Sequence, residues 1–233
     1  MLLALWSPKG GSGTSVVAAA LALVSAGLGE TRLADLGGDQ PAILGLSPLT
    51  SVATLVDWLA AGPSAPTEWL DDMTVPVIPG LSLLPGGPAA RAASPEAGAA
   101  LAVALRDSGA AVVDLGSGGD EFDGAGRAVV DVADSALMVL RPCYLALRRA
   151  VADPRLASSA GAILVEEPGR ALDADDVSAV VGVPVVGRFP VRAEIARAVD
   201  AGVLRDRLPA ALARAAGNVL DRAADLAGGR WAA

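Results

Sequence analysis

The sequence predicts an α/β fold in three layers, a mostly parallel sheet with helices on both faces. Three observations carry that reading. Short Val/Leu/Ile runs alternate with longer Ala-rich stretches of helical pattern. Runs such as Ala110-Ala111-Val112-Val113 are apolar without a break, which implies burial on both faces of the sheet. The residues able to do chemistry come just after strands, where such sheets hold their ligands.

The first strand is Leu2 to Trp6, and a glycine-rich turn carries it into a helix over Thr14 to Ala26. Further strands are expected at Arg32 to Leu36, Leu81 to Leu84, Ala110 to Leu115, Ala136 to Leu140, Gly161 to Val165 and Pro184 to Arg188, about seven in all. Ser51 to Ala61 reads as a helix with serine at its cap. Ser94-Pro95-Glu96 is a strong helix start, with Ser as cap and Pro in the first turn, and that helix runs to about Arg106. Asp173 opens another, Ala174 to Val181, and the tail supplies Arg192 to Ala201 and Pro209 to Ala227. Gly62 to Pro66 and Pro85 to Pro88 read as turns, because strand and helix continue to alternate across both. No internal repeat interrupts the pattern, so a single domain over residues 1–233 is expected.

Composition narrows the class. With 53% hydrophobic residues, a chain of 233 residues can bury a large core without disulfide staples. Cys143 is the sole cysteine, which excludes a disulfide framework and a cysteine metal cage and fits a reducing cytoplasm. Eighteen basic residues against 26 acidic ones give a net charge of −8, which argues against direct binding of nucleic acid over a broad surface. Leu2 to Trp6 is too short for a signal peptide or membrane span, so a soluble, cytoplasmic protein is expected.

The only lysine is Lys9, inside Ser7-Pro8-Lys9-Gly10-Gly11-Ser12-Gly13-Thr14-Ser15. A strand that ends in a glycine turn opening a helix aims several backbone N–H groups at one spot, and the helix dipole adds positive charge there. Gly10, Gly11 and Gly13 lack Cβ, so the turn can wrap closely around a phosphate. Ser15 would offer its hydroxyl to Mg²⁺. Two further clusters come to the same sheet edge: Asp35 to Asp39, and Asp114 with Gly116-Ser117-Gly118-Gly119. A carboxylate at the end of an apolar strand, here Asp114, is the usual second half of a phosphate-loop site and holds Mg²⁺ directly or through water.

These segments together resemble the ParA/MinD family of P-loop ATPases. Pro8-Lys9-Gly10-Gly11-Ser12-Gly13-Thr14-Ser15 is similar to that family's deviant Walker A loop, in which an extra lysine precedes paired glycines. Arg32 to Asp35 with Gly37-Gly38-Asp39-Gln40 resembles its second acidic motif, and Val112-Val113-Asp114-Leu115-Gly116 its Walker B strand. Ala133-Asp134 before the run to Pro142, and Gly182 to Pro190, resemble later strands, so the likeness spans roughly Leu2 to Gly202. It implies a three-layer P-loop NTPase fold with ATP and Mg²⁺ as cofactors. Gly10, Gly11, Ser12 and Gly13 would cradle the phosphates, Ser15 and Asp114 would hold Mg²⁺, and Lys9 would reach the nucleotide of a partner in a face-to-face homodimer. A switch of this kind positions cargo, and a regulating or positioned protein partner is expected with it.

Three departures qualify that picture. Thr14 stands where most relatives carry the second phosphate-loop lysine. A cation about 4 Å from a phosphate oxygen is worth roughly 4 kcal/mol at an effective dielectric near 20, before desolvation, so its loss weakens binding. Gly37 falls where many relatives carry the aspartate associated with hydrolysis, and Asp39 is the candidate substitute. Val165-Glu166-Glu167 stand where relatives often place an adenine-reading asparagine. Weak binding or slow hydrolysis follows, and threonine at this loop position is similar to the CpaE/TadZ branch.

Other classes meet specific obstacles. Gly11-Ser12-Gly13 and Asp35 suit a Rossmann oxidoreductase, but Val16 occupies the place of its third small residue. With no histidine, a serine–histidine triad is excluded. An iron–sulfur carrier would need paired cysteines. In the last helix Leu208, Leu212, Val219, Leu220 and Leu226 form an apolar stripe, but Arg207, Arg214 and Arg222 are balanced by Asp206, Asp221 and Asp225, so core packing is expected there rather than membrane binding. Trp231 reads as packed or frayed rather than as an anchor. Two readings stay open: a nucleotide switch, or a scaffold of the same fold that dimerises or binds a partner without turnover.

Overall fold

A computed structural model describes residues 1–47, 52–118 and 124–228. Its centre is an eight-stranded sheet in the order β3-β4-β2-β5-β1-β6-β7-β8. The strands are β1 (Leu2–Ser7), β2 (Thr31–Asp35), β3 (Val75–Ile78), β4 (Leu81–Leu84), β5 (Ala110–Ser117), β6 (Ser135–Leu140), β7 (Gly161–Glu166) and β8 (Val185–Pro190). All neighbours are parallel except β3 and β4. From β1 the chain crosses to β2 on one side, and from the adjacent β5 it crosses to β6 on the other. Opposite departures leave a crevice at the carboxyl ends of β1 and β5.

The period of two in each strand divides its side chains between two cores. Leu2, Ala4 and Trp6 join one with Ala111, Val113, Leu115, Met138 and Leu164, while Leu3 and Leu5 join the other with Val112, Leu137, Val139 and Ile163. The first core is closed by α3 (Leu55–Ala60), α4 (Glu68–Asp72), α5 (Pro88–Arg91), α6 (Pro95–Asp107), α7 (Ala125–Val132), α8 (Tyr144–Ala152) and α9 (Ala174–Val181). The second is closed by α1 (Thr14–Ser25), α2 (Gln40–Ile43), α10 (Ala193–Asp200) and α11 (Ala210–Leu226). Each large aliphatic side chain buried this way contributes roughly 1.5–3 kcal/mol. Helix α1 is buried nearly all round, which explains its run of Ala18, Ala19, Ala20 and Ala22 between sheet and α11.

The apolar stripe of α11 faces this second core, with Leu212, Val219 and Leu220 buried and Leu226 exposed. Arg222 on the same helix donates from Nη1 to the Val186 carbonyl at 3.2 Å, across the edge strand β8. Just before the glycine turn, Trp6 donates from Nε1 to Ser159 Oγ at 2.9 Å, and the Arg155 guanidinium lies 4.2 Å from the centre of its ring. Both contacts tie the end of β1 to the layer beneath. No helix among the described residues is long and apolar enough to cross a membrane.

Several expectations need correction. The sheet has eight strands because β3 adds an antiparallel edge through a turn at Gly80, which has φ +81°. Pro76 disguises that strand in the sequence; at an edge its missing N–H costs no ladder bond. Helices α7 and α8 were not anticipated. In α8 the exposed Tyr144, Leu145 and Val151 stand among the buried Ala146, Leu147 and Ala150, which blurs the helical period. Ser51 lies outside the described residues, as do Gly119 and Trp231. The start of α3 is at Thr54, whose N–H donates to Asp57 Oδ2 at 2.8 Å. The starts at Ser94 and Asp173 stand as expected, with Ser94 Oγ accepting from Ala97 N at 3.2 Å.

Helices α6 and α7 meet at Gly98, where an added Cβ would come within 2.4 Å of the Ala125 Cα. Gly98→Ala is therefore expected to lower stability by about 1–3 kcal/mol through overpacking, against ~1 kcal/mol for Ser94→Ala at the cap. Urea unfolding of the two variants measures the difference; an unchanged midpoint for Gly98→Ala would contradict this contact.

Candidate functional site

The bend after β1 is open and lined by backbone. Gly11 and Gly13 have φ of +74° and +89°, a region that side chains with Cβ resist, and Gly13 caps α1 with no side chain covering the helix start. A Cβ placed on Gly11 would meet nothing within 4 Å. The bend is braced from inside, since Ser7 Oγ and Ser12 Oγ both donate to the Lys9 carbonyl, at 2.8 and 2.7 Å. Lys9 does not plug the bend; its Nζ donates to the Gly10 carbonyl at 3.1 Å in an exposed setting.

The acidic wall is set by strand register. Leu5, Asp114 and Asp35 stand in line across β1, β5 and β2. Asp114 is fully buried, and Gln40 Nε2 donates to its Oδ2 at 2.7 Å while also donating to the Ser15 carbonyl at 2.9 Å. Gly116 N donates to Asp114 Oδ1 at 2.9 Å. Asp35 accepts from Gly38 N at 2.6 Å and Gln40 N at 3.1 Å. Burial, then the nearby Asp114, pushes the Asp35 carboxyl up to about 7. Burial also raises Asp114, against the opposing hydrogen bonds from Gln40, Ser15 and Gly116.

Bend and acids meet in a cleft of about 350 Å³ lined by Gly11, Gly13, Thr14, Ser15, Asp39 and Gly116, with Gly37 and Arg91 on its wall. A larger groove of about 910 Å³ lies between α9, β8 and α11, away from these groups. The smaller cleft is the candidate site because it joins the glycine bend to Asp39, with Asp114 directly behind it. Of the residues singled out from sequence, Gly11, Gly13, Thr14, Ser15 and Asp39 line it, and Asp114 is hydrogen-bonded to Ser15 behind it. Lys9, Gly10 and Ser12 belong to the bend but not to its lining, and Ser12 is turned inward.

Sequence reasoning gave no role to Gln40 or Arg91, and named Asp35 only as a strand-end acid and as the acid of a Rossmann alternative. Gln40 gave no signal beyond following Asp39, and Arg91 lies on a four-residue helix that the sequence does not announce. At the far side, Val165 approaches Gly13, whose added Cβ would lie 3.6 Å from Val165 Cγ2. Glu167 pairs with Arg141 and Arg170, and Glu166 with Arg188 at 3.5 Å.

The donor set fits Mg²⁺ held jointly with phosphates. Among the described residues no group of three or more His, Cys, Asp or Glu side chains could hold a metal alone. Mg²⁺ does not need one: it is commonly held by one or two carboxylates, water and the ligand's own phosphates. Ser15 and Asp114, hydrogen-bonded side by side, suit that role. The backbone of the bend, open at Gly11, suits the phosphates.

No family model and no curated protein matches the sequence. Solved structures match its fold over nearly the whole chain. A ParA family ATPase from Chlorobium tepidum TLS aligns with TM-score 0.74 at 23% identity, over 95% of this chain and 98% of that one. MinD from Pyrococcus horikoshii OT3, complexed with Mg-ADP, aligns with TM-score 0.76 at 20% identity over 97% of both chains. MinD of the MinC:MinD cell division complex from Aquifex aeolicus aligns with TM-score 0.75 at 21% identity, over 95% of this chain and 94% of that one. The fold is that of the ParA and MinD ATPases.

The raised Asp35 carboxyl gives a signed pH dependence. Unfolded, the group titrates near 3.8; folded, near 7. Between those values the folded state binds the extra proton, so stability falls as pH rises through the window, and the penalty is complete above about 7. Without Mg²⁺, the protein should melt higher at pH 6 than at pH 8. Asp35→Asn should flatten that difference, where each 1 kcal/mol corresponds to about 2–4 °C in a domain of this size. Melting curves at the two pH values provide the check, and an equal slope in the variant would remove Asp35 as its source.

Proposed function

We propose that this chain is a ParA/MinD-like nucleotide switch: it binds Mg-ATP in the cleft between the residue 10–13 bend and Asp114, pairs with a second copy, and positions a cellular cargo through a protein partner. The observation that carries the reading is the glycine-lined bend sharing one cleft with Ser15, with the buried Asp114–Gln40 pair directly behind it. The fold shared with ParA and MinD ATPases supports it.

Each residue then has a physical task. The amides of Gly10, Gly11, Ser12 and Gly13, at the positive end of α1, hold phosphate oxygens. Mg²⁺, held by Ser15 and Asp114, would neutralise phosphate charge. Thr14 contributes a hydroxyl but no charge, and Lys9, half-buried with its Nζ on the Gly10 carbonyl, would turn outward to the nucleotide of a second copy. Asp39, the one carboxylate among the described residues that line the cleft, would orient a water there. Turnover is slow, because Gly37 offers no carboxylate at the position nearer Asp114.

A scaffold that dimerises or binds a partner without nucleotide has one observation in its favour. Gln40 supplies Asp114 with a donor at 2.7 Å, so the acid is satisfied without a cation. The two readings separate in sedimentation. Mg-ATP should shift the protein toward a dimer, Lys9→Ala should abolish the shift, and Thr14→Lys should tighten ATP binding by about tenfold or more. Calorimetry with no heat at millimolar Mg-ATP, together with unchanged sedimentation, selects the scaffold.

A further inference from the structure

We infer that Arg91 is the cation this cleft presents to the terminal phosphate of the nucleotide, supplying from α5 the charge that Thr14 does not. The inference rests on the nucleotide reading above and adds to it a residue that the loop motif does not contain.

The position of Arg91 is the first argument. Its side chain lines the cleft with Gly11, Ser15 and Gly37, and it is the only cationic residue among the described residues that do so. Lys9, the cation inside the loop, does not line it. Arg91 arrives on α5 directly after the Pro85-Gly86-Gly87 turn, on the wall opposite the loop. Its Nη1 donates to the Leu115 carbonyl at 2.8 Å, which fixes the guanidinium to the end of β5, one residue past Asp114.

Space is kept for it. Gly116 has φ +64°, and a Cβ there would come 2.9 Å from Arg91 Nη1 and 3.2 Å from the Gly37 Cα. A Cβ on Gly37 would lie 3.1 Å from Asp114 Oδ2. Arg91, Gly116, Gly37 and the Asp114 carboxylate therefore meet at one corner. With Mg²⁺ held by Ser15 and Asp114, a phosphate chain that starts at the loop amides would run toward that corner and would place its terminal phosphate there.

Charge is the second argument. The cleft region holds Asp35, Asp39 and Asp114, and Asp39 raises the proton affinity of both buried acids. A polyphosphate entering such a site meets repulsion unless cations oppose it. A lysine at residue 14 would supply one from the loop; Arg91, with only 9% of its surface exposed, supplies one from the wall. Its planar fork matches two phosphate oxygens at once, and it stays charged when buried, which an ammonium does not reliably do.

The test is calorimetry on the full chain with Mg-ATP and Mg-ADP. Arg91→Met should weaken Mg-ATP about tenfold or more and Mg-ADP by less than about threefold, since one charge-assisted contact to the terminal phosphate is lost. Thr14→Lys in that background should restore most of the ATP affinity, and should gain more there than in the wild-type chain. A structural role alone would weaken both nucleotides equally, leave Thr14→Lys with the same gain in either background, and overturn the inference. If Arg91→Met does not fold, Arg91→Lys carries the test: loss of the fork should weaken ATP selectively by about threefold or more, and equal fold-losses for the two nucleotides overturn the inference. Tight ATP binding that Arg91→Met leaves unchanged overturns this inference alone, whereas a wild-type chain that binds neither nucleotide overturns the switch reading with it.

Discussion

Two buried carboxylates on neighbouring strands are the constraint around which the site is built. Asp35 and Asp114 stand opposite each other in the β2/β5 register, where isolated charge is costly. The fold answers with donors. Gly38 and Gln40 amides satisfy Asp35, while the Gln40 side chain and Gly116 N satisfy Asp114. Because the Gln40 amide also holds the Ser15 carbonyl, one side chain fixes the first turn of α1 relative to the acid. The spacing between the glycine bend and Asp114 is thus set by a group that belongs to neither.

The charges around the cleft are arranged unequally. A chain with 18 basic residues contains one lysine, and it lies half-buried outside the cleft lining. The cation on the wall is an arginine tied to a backbone carbonyl. One is compact and bonded within its own loop; the other is planar and bonded to the end of β5. These are properties suited to different partners, a neighbouring molecule in the first case and a bound anion in the second.

Much of this was legible before any coordinates. The alternation of apolar runs and Ala-rich helices gave the sheet and most of its helices, since burial on both faces leaves an unbroken apolar signature in β1, β5, β6 and β7. The glycine turn and Asp114 were visible because strand ends concentrate chemistry. What stayed hidden had physical causes. Pro76 masked β3, and exposed apolar residues masked α8. Gln40 and Arg91 act through tertiary approach, from 74 and 24 residues away from their partners Asp114 and Leu115, and no local period or spacing encodes such contacts.

The two margins of the sheet carry a consequence for how copies of this chain meet. On β3 a proline removes a donor from the outer row, and on β8 an arginine from α11 covers carbonyls that would otherwise accept from another strand. Both rims are blunted against lateral addition of a foreign strand, a common route to fibrous aggregation. Continuous cross-molecule ladders are thereby disfavoured at both ends of the sheet.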